Sequence, residues 1–294
     1  MGWITDTGEI RRRYGLPEAV RLRADGREAL AFLDGAKEAV IAVASSPGSL
    51  PRHPARGRGA LRRVESSLGP LVAREYRKGG ALRHLRGASF RGRWRPLDEL
   101  TLLRRLQAVR VPVPEAVGAV VRRHALGWRG FLLTREVDRA LDLEAYLKDP
   151  AAHPEWSRRE VLAEAGRTVC ALHEAGVRHA DLHPRNLLLD PSTAGVPVLD
   201  FDRALARDGP LAEEDRLQNL VRLARAVEKL RMRGLRAGPR DAIRFLTAYG
   251  GSPEAARRWL ARARAAMARG LSWHVLWWRL SGQVPRQAPQ RSGA

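Results

Sequence analysis

The sequence is nearly without cysteine: Cys170 is the single one in 294 residues. That excludes an intramolecular disulfide and fits a reducing compartment. Cys170 falls among Leu162, Ala165, Val169 and Leu172 in a helical pattern, the setting of a small core hydrophobe. Long apolar runs are missing as well. None approaches the roughly 20 residues that cross a bilayer, and the opening stretch MGWITDTGEIRRRYG lacks the apolar core of an export signal, so secretion is not expected. Lysine is scarce: only Lys37, Lys78, Lys148 and Lys229 are present, and the other 49 basic residues are arginine. No internal repeat is visible.

What the chain does have is positive charge, +21 in all. An excess of that size attracts polyanions such as nucleic acid, anionic lipid or a phosphorylated glycan. The arginine skew is equally the mark of GC-rich coding, and charge alone does not choose among these. The length and the 44% hydrophobic content suit one large domain or two lobes with an ample core.

Residues 1–50 read as an N-terminal segment of uncertain structure whose one helix-like piece is REALAFLDGAKEAV (27–40). The Pro/Gly/Arg-rich stretch SSPGSLPRHPARGRG reads as a loop. ALRRVESS and LVAREY, separated by LGP, predict a hairpin. LDELTLLRRLQAV carries apolar residues at 97, 100, 103 and 106 and predicts an amphipathic helix. VPVPEAVGAVVRR and GWRGFLLTREV predict two more strands, with the prolines placing the first of them at a sheet edge. From 141 the pattern turns helical, over roughly 141–148, 155–176, 211–233, 239–249 and 253–268. This organisation predicts an α+β fold of two lobes, β-rich with one main helix over 51–137 and mostly helical over 138–280. The tail 281–294 reads as disordered.

The break in the helical pattern, RHADLHPRNLLLDPSTAGVPVLDFDR, carries the chemistry. His179, Asp181 and Asn186 fit the H-x-D-L-x-x-x-N catalytic loop of the protein-kinase fold at every defining position. Asp200 comes after an apolar run where that fold has its D-F-G aspartate. Phosphoryl transfer from ATP needs a carboxylate to accept the attacking hydroxyl's proton and hard oxygen ligands to hold Mg2+. Asp181 fits the first role, and Asn186 with Asp200 the second. The runs 187–189 and 196–199 are expected to pair as a hairpin turned at Asp190, which brings Asn186 and Asp200 to one end. Asp181 and Asp200 could each simply end a strand, but order and spacing together argue for a catalytic set.

Upstream, Gly57 and Gly59 stand where a phosphate-covering glycine loop belongs, although a lone G-x-G in an arginine-rich loop also makes an ordinary turn. Alternation along LVAREYRKGG puts Val72, Arg74, Tyr76 and Lys78 on one face. Arg74 holds the lysine slot of V-A-x-K and Lys78 lies four residues on, so either cation could reach the phosphates. Glu99 is the preferred helical partner for that cation, with Asp98 the alternative. Glu136 and Val137 in LLTREV are the expected adenine-contacting backbone.

These stretches together (GRGAL, AREYRKGG, LDELTLLRRLQAVRVPVPEAVGAVV, FLLTREV, HADLHPRNLLLD and VLDFDRA) resemble the lipopolysaccharide kinase family of the protein-kinase-like superfamily, and within it the 3-deoxy-D-manno-octulosonic acid (Kdo) kinases. The resemblance covers roughly 55–230. Arginine at 74 and DFD in place of DFG depart from protein kinases in that family's direction. The resemblance implies Mg2+/ATP-dependent phosphorylation of a sugar hydroxyl on the lipid A–core precursor, by an enzyme at the cytoplasmic face of the bacterial inner membrane. It implies Asp181 as base, Asn186 and Asp200 as magnesium ligands, and Arg74 with Glu99 as the phosphate-side pair. Only about ten residues separate Asp200 from the helix expected near Leu211, and no A-P-E element appears, which leaves no room for a peptide-docking activation segment.

His183, Arg185, Asp202 and Arg203 flank the catalytic groups as candidate contacts to an anionic acceptor, although Arg185 and Arg203 could equally pair with nearby acids. The basic C-terminal stretch with Trp259, Trp273, Trp277 and Trp278 either packs the helical part or lies on an anionic membrane, and packing is the preferred reading. The rival readings are another kinase-like small-molecule phosphotransferase, an atypical serine/threonine kinase, and a non-catalytic basic nucleic-acid-binding protein. Nucleic acid is not expected as a partner.

Overall fold

The computed structural model describes residues 4–54, 61–76, 94–124 and 127–281, with side chains at all of these except 124, 127 and 270–281. Helix α1 (Thr7–Tyr14) starts where the Asp6 carboxylate accepts the Gly8 amide and stops at Gly15 in the left-handed region, φ 58°. Strands β1 (Arg21–Ala24) and β2 (Glu28–Phe32) precede helix α2 (Lys37–Ser45). The helix-like reading of 27–40 therefore needs correcting, since its first half is strand. Leu30 and Phe32 share one face and Ala29 and Ala31 the other, and β2 is hydrogen-bonded on both sides, to β1 and to β5 (Ala116–His124). That pairing overrides the helical leaning of an Ala/Leu-rich stretch.

Strands β3 (Leu61–Val64) and β4 (Leu71–Glu75) form the expected hairpin, and helix α3 (Arg95–Ala108) takes the place expected for 97–109. Its periodic Leu97, Leu100, Leu103 and Leu106 are all buried. With β6 (Gly127–Arg135) the strands make one antiparallel sheet in the order β1-β2-β5-β6-β4-β3. Here a second expectation fails, because β5 is central and not at an edge. Pro112 and Pro114 lie ahead of its first residue, Ala116, so the paired part of the strand keeps its N–H donors. A bulge between Ala116 and Gly118 adjusts the register, and a Cβ on Gly118 would meet Val40 of α2 at 2.5 Å. One sheet face packs on α2 through Val40, Val43, Val117, Val120 and Phe131. The other packs on the α3 leucines and merges with the core of the helical part.

The helical part comprises β7 (Leu141–Asp142), α4 (Leu143–Lys148), α5 (Arg158–Glu174), β8 (Val177–Arg178), β9 (Leu188–Leu189), β10 (Leu205–Ala206), α6 (Glu213–Arg231), α7 (Pro239–Gly250) and α8 (Pro253–Ser281). The five expected helices are present, the last running on past 268. α5 and α7 approach so closely at Gly166 that any Cβ there would collide with the Phe245 carbonyl. Trp259 is half-buried and makes an edge-to-face contact with Tyr249, centroids 5.5 Å apart, as packing requires. The side chains of Trp273, Trp277 and Trp278 and the tail from 282 lie outside the described residues. Among the described residues no helix is long and apolar enough to cross a membrane.

Candidate active site

The motif segment begins where α5 ends and Gly176 turns the chain at φ 77° into β8. His179 is fully buried and fixes the loop that leads to Asp181. Its Nε2 lies 2.9 Å from the Leu199 carbonyl and its Nδ1 accepts the Asp181 amide at 3.1 Å, which sets the tautomer with the proton on Nε2. Burial holds the imidazole neutral by lowering its pKa. Asn219 of α6 brackets the same residue, accepting its amide at 2.9 Å and donating to its carbonyl at 2.8 Å. Asn219 also receives Nε2 of the buried His173, whose Nδ1 meets the Tyr249 hydroxyl at 2.9 Å. His179 thus holds the loop, in a structural role.

The expected hairpin exists. Leu188 N donates to Pro197 O and Leu199 N to Asn186 O, at 2.9 and 2.8 Å. Asp190 is its turn residue, accepting the Ser192 amide and hydroxyl and the Thr193 hydroxyl. The Asn186 side-chain amide donates to the Asp181 carbonyl at 2.9 Å. That use of its NH2 leaves Oδ1 as the acceptor and ties the second polar residue of the loop to the first.

Asp200 has φ 62° and Arg203 φ 65°, two left-handed residues around the half-turn that sends Phe201 into the core and leaves Asp200 facing out. From the sheet side Arg74 reaches both acids, with Nη1 2.9 Å from Asp200 Oδ1 and Nη2 2.5 Å from Glu99 Oε2. Glu99, not Asp98, is the partner. It is 4% exposed and accepts also from the Tyr76 hydroxyl and, at 3.1 Å, from the Phe201 amide. Burial alone would lower the Arg74 pKa, but Glu99, Tyr76 and Asp200 together outweigh it and the guanidinium is held charged. Burial and then the Glu99 carboxylate push the Tyr76 phenol well up, so it stays a neutral donor.

The flanking residues divide. Arg185 makes a two-pronged pair with the buried Glu144, at 2.7 and 2.8 Å, so its guanidinium is spent on an acid. That hydrogen bonding, against burial, lowers the Glu144 carboxyl to about 2. Asp202 pairs with Arg95 at the start of α3. His183 Nε2 lies 3.6 Å from Asp181 Oδ2, and Arg222 Nη1 of α6 is 3.3 Å from Asp181 Oδ1. Arg203 lines, with Asp181, His183 and Arg222, a cleft of about 830 Å³ between the loop and α6.

Val72 is half-buried on the strand of Arg74. Beyond the end of β6, the Glu136 amide donates to Pro70 O and its carboxylate meets His53 and Arg63, while the Val137 carbonyl accepts from Ala140. Gly57, Gly59 and Lys78 lie outside the described residues. Arg95, Glu144, Asn219 and Arg222 escaped the sequence reading. In a chain this rich in arginine, no local pattern singles out Arg222.

Known proteins share much of this chain. The family described as "Lipopolysaccharide kinase (Kdo/WaaP) family" matches residues 49–249. A 3-deoxy-D-manno-octulosonic acid kinase of Xylella fastidiosa (strain M12) is 32% identical over 198 residues, 66% of this chain and 76% of the relative. The protein of that name from Xanthomonas campestris pv. campestris (strain B100) is 32% identical over 179 residues, 60% of this chain and 68% of the relative. Among solved structures, "WaaP in complex with acyl carrier protein" shares the fold, with TM-score 0.55 and 24% identity over 82% of this chain and 97% of that one. The matched span takes in β4, α3, the catalytic-loop segment and the aspartate hairpin, and on that ground the chain belongs to the lipopolysaccharide kinase (Kdo/WaaP) family.

Proposed function

We propose that this chain transfers the γ-phosphoryl group of ATP to a hydroxyl of Kdo on the lipid A–core precursor, working peripherally at the cytoplasmic face of the inner membrane. The observation that carries the reading is the convergence of Asp181, Asn186, Asp200 and Arg74 where the sheet meets the helical part, each held by a bond to another polar group.

In this reading the Asp181 carboxylate accepts the proton of the attacking hydroxyl as its oxygen bonds to the γ-phosphorus. The bond to the bridging oxygen breaks, and ADP leaves with that oxygen's charge. Arg74 faces the phosphates while Glu99 fixes its fork. The oxygens of Asn186 and Asp200 suit Mg2+, which is commonly held by one or two carboxylates together with substrate phosphates. When bound, the ion would neutralise and align the phosphate chain. Among the described residues no cluster of three or more His, Cys, Asp or Glu competes as a metal site. Gly57 and Gly59 are assigned to the phosphate cover, and the backbone of Glu136 and Val137 to the adenine edge.

The test is mass spectrometry of lipid A–core precursor after incubation with ATP, Mg2+ and protein. Wild type is expected to add one phosphate to the Kdo residue, and Asp181→Asn to lose at least about 100-fold in rate with an unchanged melting curve. Transfer by Asp181→Asn at the wild-type rate would remove Asp181 as the base, and phosphorylation of basic proteins alone would overturn the acceptor class.

A further inference from the structure

We infer that the cleft-facing stripe of α6 is the acceptor-recognition surface, reading negative charge on the substrate at increasing distance from the transferred phosphoryl group. The inference rests on the kinase reading above.

Arg222, Arg225, Lys229 and Arg233 recur at the spacing of one helical face. All four are exposed, and all four line the cleft that holds Asp181. From Arg222 to the helix end at Arg231 the axis rises about 13 Å, and Arg233 lies just past it. The other arginines of this helix are paired, Arg216 with Glu174 at 2.7 Å and Arg231 with Glu228 at 2.8 Å. On the cleft side, Arg225, Lys229 and Arg233 make no ion pair with any described residue. The acids on the cleft do not balance them. Glu144 is taken by Arg185 and Lys148, and Glu214 faces Arg262. Like charges at helical spacing repel, and a row of them beside the proposed base suits an anionic ligand. Leu217, Val221 and Leu230 line the same cleft, which lowers local polarity and strengthens each contact.

The stripe has an inner and an outer part. Arg222 touches Asp181 at 3.3 Å, so within the stripe it is the cation at the proposed base. An acceptor bearing a carboxylate on the sugar to be phosphorylated would draw Arg222 from Asp181 and free that carboxylate for the hydroxyl. Along the helix axis Arg225 lies about 4.5 Å and Lys229 about 10 Å from Arg222, with Arg233 farther still, so the three reach progressively beyond the reacting sugar. They fit phosphate groups on the rest of a sugar-acid glycolipid.

The experiment replaces the outer three together (Arg225→Gln, Lys229→Gln, Arg233→Gln) and compares Kdo-bearing glycolipid with the same material after phosphatase treatment. The expected result is an increase of about tenfold or more in KM for the phosphorylated acceptor, with KM for ATP within twofold. Wild type and variant should converge on the dephosphorylated acceptor and, with screening, at high salt. Wild-type KM on both acceptors would overturn the inference. If wild type transfers nothing to either acceptor, the kinase reading fails instead. The stripe is then judged by co-sedimentation with vesicles bearing the phosphorylated glycolipid, where equal binding by wild type and variant overturns it. Vesicles of phosphatidylglycerol alone separate the sources of negative charge. An equal loss of binding there would make the stripe a membrane contact and overturn its role in reading the acceptor.

Discussion

A double-mutant cycle on Arg74 and Glu99 measures how the site is held together. The two charge centres sit roughly 4 Å apart, where an effective dielectric near 20 gives an attraction of about 4 kcal/mol. Glu99 is 4% exposed and the Arg74 side chain 24%, so neither charge is well solvated once its partner is gone. Removing one member of such a pair costs about 3–5 kcal/mol, because the other stays buried and unpaired. The lower end applies in both directions. Without Glu99, Arg74 keeps Asp200. Without Arg74, Glu99 keeps the Tyr76 hydroxyl and the Phe201 amide. Arg74→Met and Glu99→Leu should therefore each destabilise by about 3 kcal/mol, and the double variant by at least about 2 kcal/mol less than their sum.

The assay is urea unfolding monitored by circular dichroism, with all four proteins at one pH and salt concentration. Coupling below about 0.5 kcal/mol would mean that the pair acts as two independent surface groups. The description of Glu99 as the residue that aims Arg74 would then be wrong. Activity gives a second reading. Arg74→Lys keeps the charge but loses the fork that reaches Glu99 and Asp200 at once, so it should retain more stability than activity.

Single contacts elsewhere in the molecule are testable in the same way. Gly166→Ala puts a methyl group against the Phe245 carbonyl and should cost about 2–3 kcal/mol of stability by melting; a loss under 0.5 kcal/mol would show that α5 and α7 slide apart freely. Burial, and secondarily the neighbouring cation of Arg216, lowers the His173 pKa from 6.5 to about 4 although its bond to Asn219 pulls the other way. The unfolded chain thus binds that proton first, and stability present above pH 6.5 should fall by about 3 kcal/mol as pH drops toward 4. In His173→Gln the same stretch of the stability–pH curve should be flatter, and parallel curves would dismiss the histidine. Asp202→Gly removes the partner of Arg95 and should lower kcat more than it raises KM for ATP.

The placement of the motif residues was legible because it is local. His179, Asp181, Asn186 and Asp200 lie within one short stretch, a loop and the hairpin that follows it, whose turn residues announce themselves, and the α3 leucines keep a clean helical period. The same period turns 99 toward the leucine face and leaves 98 a step away, in keeping with Glu99 as the partner of Arg74. What failed was what only tertiary pairing decides. Residues 28–32 are strand because β1 and β5 flank them, and Pro112 and Pro114 mislead because they precede β5 and take no place in it. The pairs Arg95–Asp202, Arg185–Glu144 and Arg222–Asp181 join residues 107, 41 and 41 positions apart. Among so many arginines, composition carries no hint of which acid each will find.

Those long-range pairs explain why an aspartate stands at 202, where a protein kinase has glycine. The segment Asp200–Asp202 is gripped at three points from the sheet side. Arg74 takes Asp200, Glu99 takes the Phe201 amide, and Arg95 takes Asp202. Glu99 and Arg95 both belong to α3, so the helix and the motif segment move as one body. A glycine at 202 would leave the last of these contacts empty and the backbone around the left-handed Asp200 and Arg203 freer to turn. A protein kinase uses such freedom to switch, through a long segment that phosphorylation orders. This chain has too few residues between Asp202 and α6 for such a segment, and a carboxylate pinned to α3 in place of the glycine. The two features act in the same direction, toward a site assembled before any substrate arrives. On the proposed reading, output then follows acceptor supply at the α6 face.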